Sequence, residues 1–220
     1  IRPILPGHPF SESASETVAI PELADTVIRI ADEEGIEKFT VIGHSLGGYI
    51  ALEIAAMAPG RMRSLGLLHS HPCGDDANKV SERKKAIDFV MKWGPKIYLQ
   101  ESLTNLYSPA FLKKQPEVLQ SLMNRTLNFS AETLANYQQA MLERTPRMEV
   151  LQNATFPVLF ILGKMDKAVP YHQAREQVYL PSISVLGILK NSAHMGMQEE
   201  PDKLRETVSR FLELTGNFSI

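Results

Sequence analysis

Apolar positions along this chain come in blocks, and the spacing within the blocks alternates between two periods. Residues 18–34 place Val18, Ile20, Leu23, Val27, Ile28 and Ile30 close to helical spacing, and Gly35 follows as a stop. Residues 38–42 are a β-branched and aromatic run, which predicts a strand. Residues 49–57 form an Ala-rich helical pattern closed by Pro59-Gly60, and "MRSLGLLH" (62–69) is another apolar run. A short apolar run at 1–5, closed by Pro6-Gly7, reads as the tail of a strand. The resulting β-α-β-α-β series predicts a mostly parallel sheet with helices on both faces.

From 75 to 153 the pattern turns charged and amphipathic. "SERKKAIDFVMKWG" predicts a helix with Ser81 as N-cap and Gly94 as stop. "QPEVLQSLMNRTLN" and "SAETLANYQQAMLERT" predict two more, the last opened by Ser130 with Glu132 in its first turn. The βα alternation resumes at Pro157. "PVLFILG" is apolar throughout, as a strand buried on both faces should be. "PYHQAREQVYL" then reads as a helix, "SISVLGILK" as a strand and residues 202–214 as a closing helix. The expected organisation is a core in two parts, 1–74 and 154–220, interrupted by a helical insertion over 75–153.

Composition narrows the setting without changing this layout. The 220 residues are 44% hydrophobic and 22% charged with a net charge of −2, so nothing points to nucleic acid or to an anionic membrane surface. No apolar run reaches membrane-span length. Cys73 is the single cysteine, so an intramolecular disulfide is impossible and a reducing, cytoplasmic setting is expected. The oligomeric state stays open.

The candidate chemistry sits where strands end. Gly43-His44-Ser45-Leu46-Gly47 matches G-x-S-x-G between a predicted strand and a predicted helix, the context a nucleophile elbow requires. The turn is tight enough to strain the serine backbone, and Gly43 and Gly47 relieve crowding around it. The helix starting at Leu46 aims free N–H groups at the point where an oxyanion would develop. Serine needs a base. His194, in "NSAHMGMQEEP", falls between the last strand and the last helix, and Asp166, in "LFILGKMDKAVP", directly follows a strand. The order Ser45, Asp166, His194 is that of a Ser…Asp…His triad on an open α/β sheet. "HSHPCGDD" (69–76) carries metal-ligand residue types, but its spacing fits no standard zinc pattern. Neither a metal nor an organic cofactor is expected.

These segments resemble the α/β-hydrolase superfamily, in particular its lidded carboxylesterase and enol-lactonase relatives, over nearly the whole chain. "VIGHSLGG" resembles the family's elbow. "PVLFILGKMDKAVP" resembles its acid segment and gives Asp166. "AHMGMQEEP" resembles its Gly-His-x4-Glu-x-Pro segment, with Ala193 where glycine is usual, and gives His194. "ILPGHPFSES" resembles a D-x-x-G-x-G-x-S loop, with Ile4 in place of the acid and Pro9 in place of the second glycine. The resemblance implies a helical cap over the site and cleavage of a small-molecule ester, thioester or lactone. It leaves open the same triad used for carbon–carbon hydrolysis, perhydrolysis or lyase chemistry, or a non-catalytic binding role. It also implies earlier strands and a second oxyanion donor upstream of Ile1, without which the strand at 38–42 would lack a neighbour on one side.

Overall fold

The computed structural model describes residues 1–8, 10–11, 18–126 and 128–216. Four strands, β1 (Phe39–His44), β2 (Met62–Leu68), β3 (Val158–Gly163) and β4 (Ser184–Leu189), form one parallel sheet in the order β1-β2-β3-β4. Helices α1 (Ile20–Glu33) and α2 (Leu46–Met57) precede and follow β1. The stretch between β2 and β3 folds into six helices: α3 (Ala77–Trp93), α4 (Pro95–Thr104), α5 (Pro109–Lys114), α6 (Glu117–Thr126), α7 (Ala131–Glu143) and α8 (Met148–Gln152). Then α9 (Tyr171–Glu176) links β3 to β4, and α10 (Gly196–Glu199) and α11 (Pro201–Gly216) close the described chain.

Side-chain alternation explains the layering. In β3, Val158, Phe160 and Leu162 point into the larger core with α1 and α2, while Leu159 and Ile161 point to the opposite face, against Phe211 of α11. Both faces of β3 are covered, so all six of its residues are buried. In α11, Leu204, Val208 and Phe211 recur at helical spacing and supply that second cover. The parallel register brings the carboxyl ends of all four strands to one edge, and the loops leaving that edge carry Ser45, His69, Asp166 and His194.

Several boundaries differ from the sequence reading. Residues 1–5 form no strand: Pro3 and Pro6 lack the N–H that a ladder needs. Ile1, Pro3 and Leu5 instead line a cavity of about 390 Å³ beside β1, together with Val27 and Val41. Ser81 lies inside α3. The N-cap is Asp76, whose carboxylate accepts from Lys79 N at 2.8 Å. Ser130 does cap α7, accepting from Thr133 N at 3.0 Å. The helix expected over 170–180 ends as a 3-10 turn after Glu176. Pro9 of the "ILPGHPFSES" segment and residues 12–17 lie outside the described residues.

Candidate active site

Ser45 stands between β1 and α2 with φ 52° and ψ −116°, a backbone conformation that costs a non-glycine residue about 1–3 kcal/mol. The surroundings hold it there. Ser45 N donates to Leu68 O at 2.9 Å, while the Ser45 carbonyl accepts from Gly48 N at 2.8 Å and from Ser70 Oγ at 3.0 Å. The glycines are a steric requirement of this turn, though not the pair the motif suggests. A Cβ on Gly43 would lie 2.0 Å from Gly47 O, and one on Gly48 would lie 2.3 Å from Ser70 Oγ. A Cβ on Gly47 meets nothing within 4 Å among the described residues. The freedom from side chains is therefore needed at Gly43 and Gly48. Leu46 is the first residue of α2, so its N–H has no intrahelical acceptor.

Asp166 is buried three residues beyond β3. Its Oδ1 accepts from Ala168 N and Val169 N, both at 2.9 Å. Its Oδ2 accepts from His194 Nδ1 at 2.8 Å and from His69 Nδ1 at 3.0 Å. Burial alone would raise the carboxyl pKa, but the bonds from His194 and His69, with the charge near them, outweigh it and hold the group well below the usual carboxylate range. Both imidazoles therefore carry their proton on Nδ1 and turn Nε2 away from the acid. His69 Nε2 is buried without a hydrogen-bond partner among the described residues.

The loop bearing His194 is fixed from three sides. Glu199 Oε1 accepts from Ala193 N at 2.8 Å and Met195 N at 3.3 Å, and its Oε2 accepts from Ser108 N at 2.8 Å. Leu106 O, between α4 and α5, accepts from His194 N at 2.9 Å. His44 Nε2 donates to His194 O at 2.8 Å. His44 thus braces the backbone at His194.

A family model described as "Serine aminopeptidase, S33" (Hydrolase_4) matches residues 12–200. The chain belongs to this α/β-hydrolase family. Its fold is shared by a thermophilic esterase from Thermogutta terrifontis, with a TM-score of 0.88 at 21% identity over 96% of this chain and 78% of that one. By sequence it is 26% identical over 212 residues to the dihydrolipoyllysine-residue acetyltransferase component of the acetoin cleaving system of Pseudomonas putida, covering 94% of this chain and 54% of that protein. It is 24% identical over 210 residues to 3-oxoadipate enol-lactonase 2 of Acinetobacter baylyi, covering 94% of this chain and 76% of that protein. The chain spans 54% to 57% of the length of three of the curated relatives that it matches.

In this α/β-hydrolase the metal-like stretch 69–76 scatters. His69 goes to Asp166, His71 Nδ1 accepts from Cys73 N at 3.2 Å, Asp75 takes Arg83 and Arg144, and Asp76 caps α3. Among the described residues, His69, Asp166 and His194 do bring ligand-type atoms within 4.8 Å of one another, but their N···O separations of 2.8 and 3.0 Å are those of hydrogen bonds. His69 is the site residue that sequence reasoning missed. The available signal was positional: it ends the apolar run "MRSLGLLH" on the same rim as Ser45 and His194. No helix among the described residues is long and apolar enough to cross a membrane.

Proposed function

We propose that this chain is a serine hydrolase that cleaves a small to medium ester, thioester or lactone. The observation that carries the reading is the strained Ser45 at the head of α2, on the same rim as an imidazole whose Nδ1 is held by a buried, ionised Asp166. Ser45 Oγ attacks the carbonyl carbon while His194 Nε2 takes its proton. The tetrahedral oxyanion meets the Leu46 N–H, a kind of donor whose loss costs about 3 kcal/mol of barrier. Collapse breaks the bond to the leaving group, which receives the proton from His194 and departs, leaving an acyl-serine. Water, deprotonated by the same nitrogen, then releases the acid. Asp166 keeps the imidazole in the Nδ1–H tautomer throughout and stabilises the imidazolium.

The helices α3 to α8 serve as the cap. Their join to the base supports this: Leu106 and Ser108 hydrogen-bond directly to the His194 loop and to Glu199. A small-molecule substrate entering under this cap would settle against the loop that holds the base. No metal or organic cofactor takes part in these steps.

A fluorophosphonate probe with peptide mapping tests the assignment. Labelling is expected at Ser45, and Ser45→Ala should lower kcat by about 10⁴-fold or more while the fold persists. Ester turnover with labelling at another serine sinks the reading. Binding without turnover of any aryl ester, thioester or lactone favours a non-catalytic member of the fold.

A further inference from the structure

Ser45 and His69 are the two non-glycine residues with positive φ among the described residues, at 52° and 48°. The first is explained by the elbow. The second falls at the end of β2, where the chain could have left the sheet unstrained. Its side chain is fully buried, its N–H donates to Ile161 O at 2.8 Å, and its ring is closely housed. A Cβ on Gly196 would lie 2.4 Å from His69 Nε2, and one on Gly163 would lie 2.9 Å from Cε1. The imidazole therefore lies directly against the backbone at both positions, although Gly163 is required by Ala193 O as well, and Leu189 crowds Gly196 as closely as His69 does. Its Nε2 is left without a hydrogen-bond partner among the described residues, a cost that a buried polar atom does not bear for packing alone. A packing residue would need neither the strain nor the orphan nitrogen.

We propose that His69 is a positioning residue: by donating Nδ1–H to Asp166 Oδ2 it fixes the carboxylate's rotation and shares the oxygen that orients His194. This inference rests on the serine-hydrolase reading above. With His69 in place, Asp166 receives four donors, two on each oxygen. The shared oxygen cannot swing away from His194 without breaking the bond from His69. The second donor also draws charge from Oδ2, so the carboxylate stays ionised and does not take the Nδ1 proton when His194 becomes imidazolium. The groups facing His194 are Asp166 beyond β3, His44 from the end of β1, His69 from the end of β2, and Glu199 of α10, which binds the backbone of its loop.

The test compares His69→Asn with His69→Leu in the full chain. The two side chains have nearly the same shape, but only asparagine offers an N–H where Nδ1 stood. His69→Leu should lower kcat roughly tenfold or more with KM unchanged. It should also move the acid limb of kcat/KM upward by about half a pH unit or more, because Asp166 then gives more charge to the imidazolium. His69→Asn should recover most of both effects. Equal behaviour of the two variants, with Ser45→Ala inactive, overturns the positioning role alone, whereas full turnover by Ser45→Ala overturns the hydrolase reading and this inference together. Should His69→Leu fail to fold, proton NMR of the unsubstituted protein with labelled histidine decides. Two protected downfield Nδ1 protons, both lost in Asp166→Ala, are expected. A single one overturns the proposal.

Discussion

His44 and His71 are held neutral for the same physical reason and with the same consequence for acid stability. The His44 ring lies against those of His194 and His69, at centroid distances of 4.9 and 5.7 Å. Burial, then the neighbouring His194, lowers its pKa from 6.5 to about 3. Burial, then the Arg144 charge, lowers that of His71 to about 4. The unfolded chain takes up these protons near pH 6.5 and the folded chain does not, so folding stability is full above that pH and falls as the pH drops toward 4. Asp166 adds to the loss only below its ordinary value of 3.8, because its folded pKa is depressed. His44→Gln keeps an amide N–H near the position of Nε2, able to donate to the His194 carbonyl, and removes the titration. Its urea midpoint should fall less steeply between pH 6.5 and 4 than that of the unsubstituted protein. Parallel curves would mean that His44 titrates freely in the folded state. Ser45, His194 and Asp166 were legible in the sequence as candidates because each sits in a local motif at a strand end. His69 was not, because its role depends on a carboxylate 97 positions away that no local pattern connects to it.

At the scale of elements, the helices between β2 and β3 are tied to the sheet through buried charge. Asp75, just before α3, pairs with Arg83, about two turns into that helix, and with Arg144 at the end of α7, the latter at 2.7 Å. The Arg144 guanidinium also lies 4.1 Å from the centroid of the Tyr49 ring, on α2. Just beyond, Arg147 grips Glu53 of α2 through two bonds of 2.8 and 2.7 Å. Both ends of the insertion thus converge on α2, the helix that follows Ser45. The charged, amphipathic pattern predicted helices here, yet it gave no sign of which charges would meet. Asp75 and Asp76 look alike in sequence, and one holds two arginines while the other caps a helix. Removing Asp75 leaves Arg83 and Arg144 buried with uncompensated charge, so Asp75→Asn should cost about 3–5 kcal/mol of stability, read from urea unfolding. Asp76→Ala should cost about 1 kcal/mol, the usual worth of an N-cap. A loss at Asp75 no larger than that at Asp76 would show that the guanidiniums are hydrated and that the insertion is held by packing alone.

Over the whole molecule, the parallel sheet and its cover of helices were legible because apolar runs and helical patterns alternate so regularly, whereas the strand order came from the structure. The fit of β1 to the sheet was less so. Its sequence, "FTVIGH", carries Phe39, Val41 and Ile42, yet most of its residues are only half-buried, whereas β3 is buried throughout. The difference comes from neighbours. β3 is paired on both sides, by β2 and β4, while β1 is paired by β2 alone among the described residues, with the cavity lined by Pro3, Leu5 and Val27 along its other edge. In a parallel ladder successive N–H groups point to opposite neighbours, so half of those in β1 face β2 and half face that cavity. Native-state hydrogen exchange on the 220-residue chain should therefore divide β1 into alternating fast and slow amides, while the amides of β3 exchange together at the slowest, near-global rate. The division matters for the site, because Ser45 follows directly on β1 and inherits its rigidity from the β2 side, through the bond from its N–H to Leu68 O. Uniform protection along β1, equal to that of β3, would show that its second edge is sealed and that the elbow is braced from both sides.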